Sequence, residues 1–259
     1  MRRLFRYLLL FRPFHSKIDY IKTILLNFSV LPFKQAIKLP IILYNNVKII
    51  TIGDIKIQGS IKTGMIKIGV NDAKAHGPSK ILLSGELILK GKCDIFYGTV
   101  LEGKGKLTFG NNVRIAENCK IMCQHSINIG NNCYFGYDSI IMDTDFHYLV
   151  NINTGMIKKN FAPVSIGDGS WISSGCKIMK GTILPKGSIV VGNSLVNKNF
   201  KDVPANTIFI GTPAKAFKQG YQRLFNTKIE NEITNFFIQN PQVDTYLINL
   251  ETFNKKNYE

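Results

Sequence analysis

The chain has 259 residues, 45% of them hydrophobic, and 22 glycines spread along its length, which excludes a low-complexity linker or a disordered tail and predicts a folded chain with frequent turns. Lysine and arginine outnumber aspartate and glutamate by 33 to 17, an excess that favours an anionic partner such as a phosphorylated cofactor, a nucleic acid or an acidic membrane surface. No uninterrupted apolar run reaches the roughly 20 residues needed to cross a bilayer.

Residues 1–48 carry nine Lys/Arg against Asp19 alone. The apolar stretch Leu4–Phe11 is broken by Arg6, is followed by Arg12 and Pro13, and lacks a small-residue cleavage site, so it reads as neither signal peptide nor anchor. Ile18, Ile21, Lys22 and Leu25 stand at helical spacing, with Pro32 and Pro40 as breaks. Residues 1–48 are therefore expected to form a basic helical cap on the open end of the region that follows. Residues 49–88 hold shorter alternating segments, Ile49–Ile52, Ile55–Ile57 and Met65–Ile68, expected as early irregular turns of the same architecture.

Beyond residue 88 an internal repeat dominates. Aliphatic residues recur every six positions at Ile166, Ile172, Ile178, Leu184, Val190 and Val196, and two residues before each stands Val164, Ser170, Cys176, Thr182, Ser188 or Ser194. A period of six matches neither the 3.6 of a helix nor the 2 of a simple strand. It specifies one large inward residue per short strand followed by a corner, with three strands to a coil. The earlier half repeats the pattern with coils of 20 residues: Leu89, Ile95, Leu101; Phe109, Ile115, Ile121; Ile129, Phe135, Ile141, and then His147 in the inward phase. A β-sandwich would give irregular spacings and paired hairpin turns instead. Residues 148–163 interrupt the repeat, and a break of this length in a regular solenoid reads as a functional loop leaving one corner. The expected fold is mainly β: a left-handed parallel β-helix over 49–218 with the inserted loop 148–163, an N-terminal cap over 1–48, and a C-terminal helix and tail over 219–259. The helix falls on Asn226–Asn240, where Ile229, Ile233, Phe236 and Phe237 have helical spacing, and it is expected to pack on the coil end.

The five cysteines, Cys93, Cys119, Cys123, Cys133 and Cys176, are odd in number, form no C-x-x-C pair and lie among apolar residues. They read as reduced, buried thiols of a cytoplasmic protein. Cys123 and Cys176 have no obvious paired base, so they are assigned to packing and not to acyl transfer.

The segment Pro163–Lys218 carries an I-G-D-x-x-W-I turn (Ile166–Ile172), a P-x-G-S-x-V-x-G coil, a D-V-P-x-N-T loop (Asp202–Thr207) and a G-x-P-A-K end (Gly211–Lys215). Together these resemble the maltose/galactoside acetyltransferase group of hexapeptide-repeat acyltransferases over roughly Phe109–Lys218. The upstream YIKTILLNFSVLPFKQAIKLPI resembles capsule and polysaccharide acetyltransferases of the same broad group. The resemblance implies transfer of acetyl from acetyl-CoA to a hydroxyl of a sugar or glycan precursor, directly in a ternary complex and without a metal. It also implies a homotrimer.

I-M-D-T-D-F-H (Ile141–His147) falls where this group carries its catalytic histidine. An imidazole suits the task because its pKa lies near working pH, and it can take the proton of an attacking hydroxyl. Asp145 and Asp143 flank it as candidates for orienting the base or binding sugar hydroxyls, Asp145 sharing the face of His147 by alternation. Glu117 and Asn118 are carried over as acceptor contacts. Trp171, Ser174, Gly192 and Asn197 are carried over for the thioester and pantetheine, and Lys215 and Lys218 for the phosphates. Asn197 departs from the usual threonine, Gly192 from the common alanine and Thr212 from the asparagine of G-N-P-A-K.

Three other readings compete. An N-acetyltransferase acting on an amino sugar would use the same fold and base, and a non-catalytic β-helix scaffold or regulatory protein would need neither. A γ-type carbonic anhydrase needs three zinc-binding histidines, and the four here are widely spaced. A nucleic-acid partner is not expected, since no recognition motif accompanies the charge. The basic, apolar N-terminus predicts peripheral contact with the inner membrane face by an otherwise cytoplasmic protein.

Overall fold

The computed structural model describes residues 18–70 and 77–258. Residues 1–17, with most of the basic N-terminal charge and His15, and residues 71–76, with His76, lie outside the described residues.

The strands coil into a three-sided solenoid. One side is a nine-stranded sheet running Ile41–Leu43, Ile66–Val70, Cys93–Phe96, Val113–Ile115, Tyr134–Phe135, Trp171–Ile172, Ile189–Val190 and Thr207–Gly211, all parallel, ended by the antiparallel strand Ala214–Gln219. The other two sides form one eleven-stranded sheet, because the long strand Ser79–Leu89 crosses a corner: its first half pairs with Val100–Gly103 and its second with Lys106–Phe109. Gly85 makes the crossing possible, since a Cβ there would stand 2.1 Å from the Gly105 carbonyl oxygen.

The register reproduces the repeat. Ile115 pairs with Phe135 and Ile121 with Ile141, 20 residues apart, whereas Ile172 pairs with Val190 and Ile178 with Val196, 18 apart. Every inward position of the sequence pattern from Leu89 to Ile141 and from Ile166 to Val196 is at most 2% exposed. These side chains stack along the axis as one core, and each large aliphatic withdrawn from water contributes about 1.5–3 kcal/mol. The small residues two positions earlier sit where the chain turns. Ser170 and Ser188 donate to the carbonyls of Gly167 and Pro185, both at 2.6 Å, which satisfies the buried hydroxyls and closes the corner.

The first strand, Ile41–Leu43, already belongs to the nine-stranded sheet, ahead of the alternation at residue 49. It is short and follows Pro40, so no periodicity announced it. Helix α1 (Tyr20–Val30), capped by Asp19 whose carboxylate accepts from Lys22 N at 2.9 Å, and helix α2 (Phe33–Ala36) cover this edge. At the other end, α3 (Thr227–Gln239) and α4 (Leu250–Lys256) follow the terminal hairpin. The α3 bounds agree with the expected helix, whose ends Asn226 and Asn240 are its caps. The segment packs along a side of the prism and not on its end: Phe225 meets Tyr134 at 4.7 Å and Tyr258 at 5.3 Å.

Candidate active site

The three corners of the prism differ in their regularity. At one, Gly98, Asn118, Asp138, Gly175 and Asn193 stand one above another with φ between 57° and 76°. The N–H of each of the last four donates to the carbonyl of the coil below, at Tyr97, Glu117, Tyr137 and Ser174, over 2.9–3.0 Å. Asparagine and aspartate tolerate this left-handed conformation, so their presence in the column follows from the backbone. Asn118 therefore has a structural reason to be where it is. Glu117, Ser174 and Gly192 each precede a member of the column and share this corner.

A second corner breaks after Met142. In the regular coils, N–H groups of one level donate to carbonyls of the next, as Lys106 N does to His125 O at 2.9 Å. Above His125 the next level leaves the prism, and the carboxylate of Asp143 takes its place. Asp143 is fully buried and accepts from Gln124 N at 2.8 Å, His125 N at 2.8 Å and Ser126 N at 2.6 Å. The geometry thus ties Asp143 to holding the corner, because three backbone N–H groups take three of the roughly four acceptor sites of its carboxylate.

The released chain folds back as an irregular antiparallel arm. Thr144 bridges Phe161, Asp145 N donates to Asn160 O at 2.8 Å, and Val150 bridges Ile157, with Asn151 N donating to Met156 O at 2.9 Å near the tip. Between base and tip the arm opens into a cavity of about 340 Å³ lined by Asp145, His147, Lys158, Lys159, Asn160 and Lys180 together with apolar residues of the arm. His147 is exposed. It does not occupy the inward slot that counting six from Ile141 predicts, because the chain has left the coil four residues earlier. A three-residue turn sets its position instead: His147 N donates to Asp145 O at 2.7 Å across Phe146, whose φ is 60°. A left-handed phenylalanine is a strained choice, and such strain gathers at functional sites. The Asp145 carboxylate pairs with Lys180 Nζ at 2.5 Å.

Lys180 is the residue that sequence reasoning missed. It follows Ile178 by two, as Asp143 follows Ile141, and those two isoleucines are paired. The signal was in the register, obscured by the interruption between the two coils. Asn197 lies one coil above on the same corner, where Met179 N donates to Val196 O at 2.8 Å.

The remaining expected donor contacts lie elsewhere. Ser174 and Gly192 are on the regular corner, under the turn that binds back through Gly211 N to Ser194 Oγ at 3.1 Å and Thr212 Oγ1 to Asn193 O at 3.4 Å. A Cβ at Gly192 would meet the Ser174 carbonyl at 3.3 Å, so the backbone is bare there. Lys215 and Lys218 are exposed on the terminal hairpin, opposite Ile210 and Ile208. Trp171 is half-buried on the adjoining side, with the Arg223 guanidinium 4.8 Å over its ring, and burial among Trp171, Tyr134 and Phe225 lowers the Arg223 pKa. One chain therefore does not bring His147 together with Ser174, Gly192 and Trp171.

The cysteines are free and buried. Burial pushes Cys119, Cys123 and Cys133 up to about 12 and raises Cys93 and Cys176 as well, which keeps the thiols protonated and poor nucleophiles. Among the described residues no three His, Cys, Asp or Glu side chains converge as metal ligands would.

No family model matches the chain. Among curated proteins, it is 31% identical over 126 residues to an inferred acetyltransferase of Schizosaccharomyces pombe, covering 48% of this chain and 54% of the relative. It is 28% identical over 125 residues to WbbJ of Escherichia coli, an inferred lipopolysaccharide biosynthesis O-acetyl transferase, covering 45% and 62%. The chain thus spans about half the length of these relatives. Solved structures similar to it include AntD, an N-acyltransferase from Bacillus cereus held with dTDP and coenzyme A, at 16% identity and a TM-score of 0.44 over 75% of this chain and 88% of that one. Another is the polySia-specific acetyltransferase NeuO, at 18% identity and a TM-score of 0.42 over 79% and 82%. The resemblance carried by Pro163–Lys218 agrees with the names of the curated relatives.

Proposed function

We propose that this chain transfers acetyl from acetyl-CoA to a hydroxyl of a sugar or glycan precursor, with His147 as general base. The observation that carries the proposal is the placement of His147: a strained turn at Phe146 presents it on the wall of a cavity at the point where the solenoid opens. The similarity to acetyltransferases supports the same reading.

In this reaction the imidazole accepts the proton of the acceptor hydroxyl as its oxygen forms a bond to the thioester carbonyl carbon. The resulting oxyanion collapses, the carbon–sulfur bond breaks, and the CoA thiolate leaves, taking up the proton that the imidazole received. The bare backbone at Gly192 and Ser174 suits a pantetheine arm lying along the regular corner, and Lys215 and Lys218 supply charge for the phosphates. Lys158, Lys159 and Lys180 face Asp145 as the sole carboxylate lining the cavity, which favours an acceptor carrying an anionic group.

His147 and the Ser174–Gly192 corner are separate in one chain, so the reading calls for a homotrimer in which the arm of one protomer reaches the donor corner of the next. The apolar side chains that the arm exposes, among them Phe146, Leu149, Val150 and Ile157, supply a surface for that contact. The test is release of free CoA thiol from acetyl-CoA with neutral, acidic and amino sugars as acceptors. Transfer to hydroxyl-bearing acceptors that disappears in His147→Ala supports the proposal. Full activity in that variant, or transfer confined to amino sugars, overturns it. Mixing His147→Ala chains with Gly192→Trp chains should restore part of the activity if each site is shared between protomers.

A further inference from the structure

Helix α1 is amphipathic in the inverted sense. Two of its polar side chains, Thr23 and Asn27, point inward beside the buried Leu26: Asn27 Nδ2 donates to Ile41 O at 2.7 Å, Asn27 Oδ1 accepts from Ile41 N at 3.2 Å, and Thr23 Oγ1 accepts from Leu43 N at 3.0 Å. Thr23 and Asn27 are at most 2% exposed. Together they satisfy the free backbone edge of Ile41–Leu43, which a sheet must cover or leave open to pairing with another chain. An edge-covering helix with polar residues inward then has its other face left over, and here that face is apolar. Tyr20, Ile21, Ile24, Leu25 and Phe28 recur at helical spacing and are all exposed, Ile21 by 74% and Leu25 by 64%. Phe33, whose ring lies 6.0 Å from that of Phe28, and Ile37 extend the patch. A contiguous apolar surface rimmed by charge marks a docking site.

The rim selects the occupant. Lys34 and Lys38 stand beside the patch, and the sequence leading into the helix, residues 1–17, carries Arg2, Arg3, Arg6, Arg12 and Lys17 with no aspartate or glutamate. The single acid of the region, Asp19, is committed to the helix cap and to Lys22, whose Nζ is 3.0 Å away. Two copies meeting through this face would bring their positive charges together, so self-association is opposed. An anionic lipid surface matches both features, with apolar side chains entering the acyl boundary and cations meeting the headgroups. The helix is 11 residues long, about half of what spans a bilayer, so it would lie in the interface plane.

We propose that the outward face of α1, continued by Phe33 and Ile37, seats the protein on the surface of an anionic membrane. The proposal is independent of acetyl transfer, and its test contains no acyl donor. The full chain is sedimented with phosphatidylcholine vesicles, either pure or with about one third phosphatidylglycerol, at low and high salt. It should sediment with the anionic vesicles, less so at high salt, and stay behind with the neutral ones. Ile21→Glu/Leu25→Glu should weaken this binding by about tenfold or more at an unchanged melting temperature, since both side chains point to solvent. Lys34→Glu/Lys38→Glu should lose the preference for phosphatidylglycerol. Three sedimentation results overturn the proposal: wild-type protein that stays in the supernatant, wild-type protein that binds pure phosphatidylcholine equally well, or a glutamate variant that sediments as the wild type does. So does a fall in the number of associated chains by light scattering in the glutamate variant without a change in sedimentation, which would make the face a contact between copies.

Discussion

Two corners of the same prism solve the same problem differently. At the corner of Asn118, Asp138, Gly175 and Asn193, every level repeats one left-handed turn and one hydrogen bond to the level below. At the corner above His125, the stack is interrupted, and the N–H groups of residues 124–126 end on the carboxylate of Asp143. A solenoid releases chain only where something else accepts the hydrogen bonds that the missing level would have taken. The regular corner gives a fixed, shallow surface along which a long ligand can lie. The opened corner gives a cavity and a side chain free to do chemistry.

The largest expected effect separates chemistry from support within the opened corner. His147→Ala should reduce turnover by about 10²–10⁴, equivalent to about 3–5 kcal/mol of barrier, at an unchanged melting temperature. Asp143→Ala should do the reverse. It removes the acceptor of three backbone N–H groups at a partly buried corner, and it should cost about 1–3 kcal/mol of stability in urea unfolding. Asp143→Asn, which keeps one acceptor oxygen, should fall between. If Asp143→Ala were stable and only inactive, Asp143 would belong to the chemistry and the contrast between the two corners would collapse.

That contrast also explains what could be read in advance. The inward positions from Leu89 to Val196 were legible because burial on the axis admits one class of side chain per strand, and the period survives as long as the chain stays in the coil. The loop was legible as an interruption. Its consequence for His147 was not, because phase has no meaning once the backbone leaves the stack, and Ile141 is the last residue before the loop to which counting by six applies. In the sequence Asp143 reads as a candidate for orienting the base or binding sugar hydroxyls, because a carboxylate close to a histidine suits either task. Its three backbone donors come from residues 17–19 positions earlier, and only the coil length brings them together. The inverted polarity of α1 was hidden for a similar reason: the helical spacing of Ile21 and Leu25 is the same whether that face points in or out.

A smaller effect tests the core shared by both corners. Cys119, Cys123 and Cys133 have pKa values raised from 9.0 to about 12 by burial. Folded-state values above the unfolded ones mean that the stabilisation is complete below pH 9 and declines as pH rises toward 12, because the unfolded chain releases protons that the folded chain keeps. Each thiol should remove up to about 1.4 kcal/mol per pH unit in that window. Melting temperatures at pH 8 and pH 10 should therefore converge in a Cys119→Ala/Cys133→Ala variant relative to wild type. An equal alkaline loss in both would place the titrating groups elsewhere.

The smallest expected effect concerns Asp145, and it decides whether the cavity wall is chemical or merely electrostatic. Its carboxylate is bonded to Lys180 and partly exposed, so as an ion pair it should be worth less than about 1 kcal/mol of stability. Asp145→Asn and Lys180→Met should then act in opposite directions, the first lowering and the second raising KM for an anionic acceptor with little change in kcat, and the double variant should fall between them. If Asp145 instead holds the imidazole in its working tautomer, only Asp145→Asn should lower kcat and shift the pH profile, while Lys180→Met leaves both in place. The pairing with Lys180 leads us to expect the first outcome, because an ammonium held 2.5 Å from the carboxylate offsets much of the field it would exert on an imidazolium.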